Sequence, residues 1–153
     1  MRTKVRFEFY NEVLDRDEVE TIWATVIDQD KGFYKLDNIP FFVKSFAADD
    51  IVKAERVDKG FPKVVSLIKK SGNSTINIIF LDKDNKEFKK KILKRLNDLG
   101  VEYQGLESLI NGYCSLNVTK DIDYKLVFDF LTEESGELDF REACIGHPIN
   151  KKK

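Results

Sequence analysis

Charged and apolar side chains alternate at the start of the chain, and this pattern most strongly limits what the chain can fold into. Within residues 4–10, Val5, Phe7 and Phe9 point to one side of an extended strand, and charged or tyrosine side chains point to the other. A period of two is typical of a β-strand that is buried on one face. The N-terminal part of the chain is therefore predicted to be sheet.

Short strand candidates, separated by turn sequences, continue as far as residue 70. Residues 19–27 lead through the turn-rich DQDKG into FYKLDNI, which predicts a hairpin. DIVKAERV and KVVSLIKK form a second pair around DKGFP. Five short strands with glycine-containing turns predict a small β-barrel or a curled antiparallel sheet.

The pattern changes after the sequence SGNS. Residues 74–81 form an apolar strand, and Asp84 then precedes Glu87 by three positions, which is the spacing of a helix capping box. Apolar residues follow at helical spacing, and Gly100 is the expected stop. These apolar residues are Phe88, Ile92, Leu96 and Leu99.

Two more strands and a second helix follow. The strands are predicted at residues 101–104 and 113–119, on either side of the loop GLESLING. The second helix opens at Asp121 or Asp123 and stops at Gly136.

A last strand at residues 138–145 completes the order β-α-β-β-α-β, which predicts a ferredoxin-like unit with both helices on one face of a four-stranded sheet. The predicted fold class is α+β: a small N-terminal β-barrel or curled antiparallel sheet, followed by this ferredoxin-like unit. The predicted division is a barrel-like part at 1–72, a ferredoxin-like part at 73–147 and a disordered basic tail at 148–153.

Bulk composition limits the functions to consider. The formal net charge of −1 and the pI near 5.9 provide no global positive field of the kind that non-specific nucleic-acid binding uses. No apolar segment follows the basic start, so no export signal is predicted. The longest apolar runs fall well short of the roughly 20 residues that span a bilayer. A cytosolic protein is predicted, with Cys114 and Cys144 as free thiols.

Catalytic and metal-binding candidates are few. His147 is the one histidine, and together with the two cysteines it offers three ligands at unsuitable spacing, whereas a zinc site needs about four. There is no G-x-S-x-G sequence, and SGNST lacks the lysine of a phosphate-binding loop. No catalytic residue, metal or cofactor is predicted, and an enzyme is not expected.

Acidic residues concentrate in two places. In NEVLDRDEVE, five acidic residues including Glu20 surround Arg16 alone, and residues 121–142 hold eight acidic residues against two basic ones. Such surfaces are commonly just solvated, but they also speed docking onto a basic protein. The predicted partner is another protein. The most specific form of this prediction is that the chain is an immunity-type inhibitor that neutralises a toxin by covering it with an acidic surface. The predicted partner-binding residues are Glu12, Asp15, Asp17, Glu18, Asp129, Glu133 and Glu134.

An alternative hypothesis is a nucleic-acid-binding or small-ligand-binding module. Residues 83–95 carry seven basic and two acidic side chains, which favours either phosphate binding or attraction to the acidic second helix. In NGYCSLNV a tyrosine stands where RNA-recognition modules stack a base, but Ser115 and Val118 replace the other aromatics. Nucleic acid is therefore not the expected partner. The residues of this alternative are Lys89, Lys90, Lys94, Arg95 and Tyr113.

Several segments together resemble a known family. They are WATVIDQDKGFYKLDNIPFFVKSFAADDIVKAE, KKSGNSTINIIF, NGYCSLNV and REACIGHP, and they extend over residues 23–147. The sequence resembles a family of small bacterial proteins known as domain of unknown function number 4265. The resemblance implies a bacterial, stand-alone, cytosolic protein and no mechanism.

The aromatic segment LDNIPFFVKSF is the most specific part of that resemblance. Pro40 fixes its own φ and forces the preceding residue to be extended, so the chain must turn a corner here. Phe41, Phe42 and Phe46 cannot all face one way. The segment is predicted to join the barrel to the second unit; the alternative is an exposed or ligand-lining role.

Overall fold

The computed structural model describes residues 1–12, 14–105 and 111–148. Most of the predicted loop GLESLING, at 106–110, and all but the first residue of the predicted tail, at 149–153, lie outside the described residues. Within the described part, no helix combines the length and the apolar character needed to cross a membrane.

The N-terminal half is a closed five-stranded barrel, which confirms the prediction of a barrel. Neighbouring strands are antiparallel, and β5 closes the barrel by a parallel pairing with β1 between Lys63 and Arg6. Val5, Phe7 and Ile22 are among the residues that fill its core. The strands are β1 Arg2–Asn11, β2 Arg16–Asp28, β3 Phe33–Leu36, β4 Ile51–Glu55 and β5 Lys63–Lys69.

The turn between β2 and β3 depends on a glycine. Gly32 has φ +74°, and a Cβ at this position would lie 2.7 Å from the carbonyl oxygen of Ala54. The backbone conformation and the close approach of β4 both favour glycine here.

The second half is a four-stranded antiparallel sheet with two helices, in the chain order β-α-β-β-α-β. The spatial order is β7-β8-β6-β9, so the first strand of this half lies between the third and the fourth. The elements are β6 Ser74–Phe80, α1 Lys86–Asp98, β7 Glu102–Gly105, β8 Tyr113–Val118, α2 Tyr124–Glu133 and β9 Leu138–Cys144.

Both helices pack on the same face of this sheet, because the apolar side chains of the helices and the sheet form one buried cluster. The pattern of β6 explains this arrangement: Ile76 and Ile78 belong to the cluster, whereas Asn77 between them lies on the opposite face and bonds to Ser115. The fully buried helical residues are Ile92, Leu96, Val127 and Leu131.

The structure corrects the predicted start of the first helix and agrees with the other predicted helix caps. The N-cap of α1 is Asn85, whose Oδ1 accepts from the amide of Phe88, so the N-cap lies one residue after the predicted Asp84 and the predicted Asp84–Glu87 capping box is wrong. Asp123, one of the two candidates, caps α2. Gly100 has φ +88° directly after α1, which confirms it as the stop.

Residues 37–50, which connect β3 to β4, lie across the face of the second sheet that the helices leave open; we call them the bridging segment. Ser115 Oγ donates a hydrogen bond to the carbonyl oxygen of Pro40 at 2.6 Å. Arg141 Nη2 donates to the carbonyl oxygen of Phe42 at 2.8 Å. Polar residues of the sheet thereby satisfy the irregular backbone that covers them.

Aromatic side chains of the bridging segment point in different directions, as the sequence predicted. Phe42 packs on Tyr113 of the sheet, with ring centroids 5.3 Å apart. Phe46 turns back into the barrel and contacts Phe7 at 4.8 Å. The hydroxyl of Tyr113 donates to the carbonyl oxygen of Phe41. One stretch of chain thus contributes to both halves.

The carboxylate of Glu20, on β2, holds the sharpest part of the bridging segment. It accepts the backbone N–H groups of Phe41 at 2.6 Å and of Phe42 and Val43 at 3.1 Å each. Burial raises the pKa of this carboxyl, while the three amide donors and the charge of Arg141 act to lower it. The Glu20 side chain therefore stabilises the fold and is not part of a solvated acidic loop.

The two cysteines lie on strands that are not neighbours. Cys114 on β8 and Cys144 on β9 are separated by β6, and both side chains are buried. Burial and the nearby negative charge of Asp50 raise the pKa of Cys144 to about 11.

Replacing Glu20 by glutamine is expected to destabilise the protein by about 1–3 kcal/mol, because an amide has one acceptor oxygen for three buried donors. Urea unfolding measures this loss. Glu18→Gln is the matched control, since Glu18 contacts only Arg16 among the ion pairs of the described residues, and should change stability by no more than about 0.5 kcal/mol. Equal losses in the two variants would contradict the structural role of Glu20.

Phe42→Ala is expected to cost about 3–5 kcal/mol, because it empties a buried aromatic site between the two halves. Phe61→Ala, at a position 41% exposed, should cost far less. Both values come from the same unfolding experiment, and a loss below about 1 kcal/mol for Phe42→Ala would show that its ring is not a packing element.

Thiol titration of the denatured, non-reduced protein is expected to count two cysteines. In the native state the reaction should be slow, because the thiols are buried and the pKa of Cys144 is about 11. A count of zero, with a mass lower by two hydrogens, would contradict the strand order.

Candidate functional site

The structure does not bring the predicted acidic residues together on one surface. Glu12, in the β1–β2 turn, accepts from Lys44 Nζ at 3.0 Å and lies 3.6 Å from Arg141 Nη1. The hydrogen bond and charge of Lys44 hold the pKa of Glu12 below its usual range. Glu12 thus ties the β1–β2 hairpin to the bridging segment.

The acidic residues of the second group lie on the other side of the second sheet. Asp129 on α2 pairs with Lys125 at 2.6 Å within the same helix, while Glu133 ends that helix and Glu134 caps it. The hairpin contacts the bridging segment, whereas α2 packs on the opposite face. The two acidic groups are therefore associated with opposite faces of the second sheet.

Three hairpin residues remain available to a partner to different degrees. Asp15 and Asp17 are exposed. Glu18 is paired with Arg16 at 2.9 Å, and its side chain is one-quarter exposed.

The predicted nucleic-acid residues are also separated. On α1, Lys94 pairs with Asp98 at 3.3 Å, and the Arg95 guanidinium lies 6.0 Å from the centre of the Phe130 ring. This last contact joins the basic helix to the acidic one. The other two basic candidates of α1 are Lys89, which lies 6.0 Å from the Phe80 ring, and the exposed Lys90.

Tyr113, the aromatic residue of the same hypothesis, lies on the opposite face of the sheet from α1. It is 3% exposed under Phe42, so its ring is not open to a base. The structure therefore provides no joint surface for the tyrosine and the basic helix.

The only histidine forms a buried polar contact with a serine. Ser74 Oγ lies 2.6 Å from His147 Nδ1, and His147 Nε2 lies 2.9 Å from the carbonyl oxygen of Thr119. A proton on Nε2 and a serine hydroxyl that donates to Nδ1 satisfy both bonds, and the hydroxyl also accepts from the amide of Gly146. Because Ser74 is fully buried, this pair anchors the C-terminal strand and is not an accessible nucleophile.

Large hydrophobic side chains are exposed on the outside of the barrel. They lie on β1, β2, β5 and the turn before β5, which are adjacent in the barrel. We call this surface the barrel face; its members are Tyr10, Val19, Trp23, Phe61, Val65 and Ile68.

A cation–aromatic cluster lies at the centre of the barrel face. The Lys4 ammonium, on β1, is 5.1 Å from the centre of the Trp23 ring on β2 and 5.9 Å from that of Phe61 in the turn before β5. The Arg2 guanidinium is 4.9 Å from the Trp23 ring. Both rings remain about two-fifths exposed: 42% for Trp23 and 41% for Phe61.

The hairpin end of the barrel face is acidic. Tyr10 pairs in register with Asp17, and Val19 pairs with Glu8. These residues line an open cleft of about 620 Å³ that extends to Lys63. The barrel face therefore combines an apolar and aromatic centre with an acidic edge at the hairpin and cations at Arg2 and Lys4.

Sequence reasoning missed the barrel face, although its signal is present. Trp23 lies between Ile22 and Ala24, both of which fill the barrel core, so strand alternation by itself places the indole outside. Phe61 had no such signal, because it lies in a turn and meets Lys4 only after the barrel has closed.

Comparisons with known proteins support the fold and name no activity. The sequence profile of the family described as a domain of unknown function, DUF4265, matches residues 20–140. A crystal structure of a hypothetical protein from Neisseria gonorrhoeae is similar, with 29% identity and a TM-score of 0.75. The match covers 95% of this chain and 96% of that one. No curated protein matches.

Proposed function

Because the chain belongs to the DUF4265 family, whose description assigns no activity, we propose a function from the geometry: a non-enzymatic, cytosolic binding protein that docks another protein on its barrel face. The observation that carries the proposal is the exposure of Trp23, on β2, and of Phe61, in the turn before β5, with Lys4 of β1 close to both rings. Exposed groups of large apolar side chains commonly mark interaction sites.

The composition of this surface supports a protein partner. Tryptophan, tyrosine and arginine contribute most often to the binding energy of protein interfaces. Here Trp23, Tyr10 and Arg2 lie on two paired strands, so their backbone positions are fixed before binding. A rigid strand platform lowers the entropy that association costs.

An inhibitor of the immunity type is the most specific form of this proposal. The exposed Asp15 and Asp17 at the hairpin end supply negative charge beside the apolar centre. A basic toxin domain would be attracted to that edge, because complementary charge raises association rates. The acidic residues of α2 are not part of this surface.

A second candidate function is binding of single-stranded nucleic acid by the same central cluster. Exposed aromatic rings with cations beside them are the elements on which bases stack and phosphates bind. Arg2 and Lys4 over Trp23 favour this alternative, whereas Tyr113 and α1 do not contribute to it. Nucleic acid remains the less favoured partner, because the net charge is −1.

We also propose that the second half is a ferredoxin-like unit. Its chain order β6-α1-β7-β8-α2-β9 and its spatial order β7-β8-β6-β9 support this assignment. In this protein the open face of the sheet is occupied by the bridging segment, so binding is proposed for the barrel instead.

Replacing two exposed members of the barrel face, as Val19→Ser with Phe61→Ser, is expected to abolish partner capture with little loss of stability. The tagged protein is used to capture partners from a lysate of the bacterium that encodes it, and mass spectrometry compares what is retained. Leu126→Ser is the matched control, because Leu126 is 56% exposed but lies on α2. Capture that survives the double variant and fails in the control would contradict the proposal.

Titration with oligouridylate distinguishes the second candidate. Trp23 is the sole tryptophan, so a base that stacks on it should quench the intrinsic fluorescence directly. The protein-partner proposal predicts no saturable quenching at physiological salt. Saturable quenching that weakens with salt and with Lys4→Glu would favour nucleic acid instead.

A further inference from the structure

The barrel closes through a single pair of residues, which leaves an open gap between β1 and β5. These two strands are paired only at Arg6 and Lys63. Toward their C-terminal ends, β1 is paired with β2 alone and β5 with β4 alone, among the strands of the described residues. We call this gap the seam; its two sides are residues 7–11 of β1 and residues 64–69 of β5.

The backbone of β1 presents free hydrogen-bonding groups at the seam. The amide of Arg6 donates to the carbonyl oxygen of Pro62 at 2.8 Å, so it points away from β2. Along a strand the N–H and C=O groups alternate between the two edges, and the register of β1 with β2 has no irregularity. Glu8 and Tyr10 therefore point their backbone groups into the seam. Neither residue has a backbone partner there within the described part of the chain.

The seam also leaves part of the barrel core uncovered. Three apolar side chains on its two sides pack against the buried core but are only partly buried: Phe9, Val64 and Leu67. Phe7, two positions earlier on the same face of β1, is 3% exposed. Phe9 also lines the cleft of about 620 Å³ at the hairpin end of the barrel face. At the seam, a side chain that packs on the core is thus accessible from outside.

These two features fit one kind of occupant, an extended polypeptide segment. A strand beside β1 would bond its backbone to Glu8 and Tyr10, and every second side chain would point at the uncovered core near Phe9. The edge of β5 is less suited to pairing, because its register with β4 shifts twice and leaves Val65 and Ile68 as extra residues. The free edge of β1 is therefore the side on which a strand adds.

The charges around the seam indicate a basic segment. Glu8 is already neutralised, since Arg6 lies at 2.8 Å and Lys63 at 3.4 Å from its carboxylate. Asp17, which is in register with Tyr10, is exposed and has no ion-pair partner among the described residues. A lysine or arginine opposite Tyr10 on an added strand would lie about 10 Å away along the sheet, within reach of this carboxylate. Complementary charge would also speed association.

We propose that the seam binds an extended, basic segment of the partner protein, which adds a strand to the free edge of β1. The inference rests on the proposed function, because it describes how the protein partner docks at the hairpin end of the barrel face. Glu8 and Tyr10 supply the backbone groups, Phe9 supplies the apolar contact, and Asp17 supplies the charge.

Native-state hydrogen exchange of the full chain, measured by amide NMR, tests the free edge without a ligand. The amides of Glu8 and Tyr10 should have protection factors at least about tenfold lower than those of Phe7 and Phe9, which point at β2. Equal protection of all four amides would overturn the proposal, because the edge would then already be paired.

A phage-displayed library of random linear peptides, selected on the full chain, provides the probe for binding. The enriched peptides should alternate apolar and polar residues and carry lysine or arginine. Titration with a synthetic copy of one enriched peptide should slow the exchange of the Glu8 and Tyr10 amides. No enrichment, or an enriched peptide that leaves these amides unprotected, would contradict strand addition.

Tyr10→Pro is the decisive variant, because it removes the N–H in the seam and leaves the bonds to β2 in place. Proline is tolerated in a strand where its missing N–H faces solvent. Tyr10→Ala is the matched control, since it loses the same ring and keeps the N–H. The proline variant should bind the enriched peptide about tenfold more weakly than the alanine variant. Equal affinities would reject the proposal, and if the proline variant does not fold, the exchange of the Glu8 and Tyr10 amides in the wild-type protein decides.

A second copy of this chain is the other occupant that these experiments detect. Protection of the two edge amides that rises with protein concentration in the absence of peptide, together with a dimer mass in sedimentation, would overturn the proposal in favour of self-association.

Failure of this inference and failure of the proposed function give different results. If Val19→Ser with Phe61→Ser abolishes partner capture while no peptide protects Glu8 and Tyr10, the seam is rejected and the barrel face is supported. If a peptide protects these amides while the double variant still captures the partner, the seam is supported and the barrel face is rejected.

Discussion

The carboxylate of Glu20 is the contact on which the arrangement of the two halves depends. Three consecutive amides, at residues 41–43, point at one side chain of the barrel, and this fixes the corner that follows Pro40. With the corner fixed, the carbonyl groups on the other side of the bridging segment point at the second sheet. Ser115 and Arg141 bind them there. A barrel side chain thus determines how the sheet is covered.

Covering that sheet face decides which surfaces are left for binding. The face that ferredoxin-like RNA-binding modules present to bases is here filled by Phe42 and its backbone, and Tyr113 becomes a packing residue. The outside of the barrel keeps its aromatic side chains exposed, although Asp37 at the start of the bridging segment bonds to the backbone of Trp23 and to Arg2. The position of the bridging segment therefore closes the open face of the second sheet and leaves the outside of the barrel as an exposed aromatic surface.

Local sequence patterns predicted much of the fold, because they depend on which side chains of a single strand or helix are buried. Alternation around Val5 and Phe7 predicted β1, and helical spacing of Ile92 and Leu96 predicted the buried face of α1, since each pattern records which side of an element meets the core. The sequence patterns did not determine the first residue of α1. Asp84 and Asn85 both offer an N-cap oxygen, and in the structure Asn85 is the cap.

The sequence by itself determined the elements, a barrel or curled sheet in the N-terminal half, the order β-α-β-β-α-β and the different directions of the phenylalanines in the aromatic segment. Only the tertiary structure decided which partner each charged side chain binds. Glu12, Glu18 and Glu20 look equivalent in NEVLDRDEVE, yet one binds Lys44 across the molecule, one pairs locally and one holds three amides. Charge carries no periodic signal, because its energy depends on which groups the fold brings within a few ångströms and on how much water remains between them.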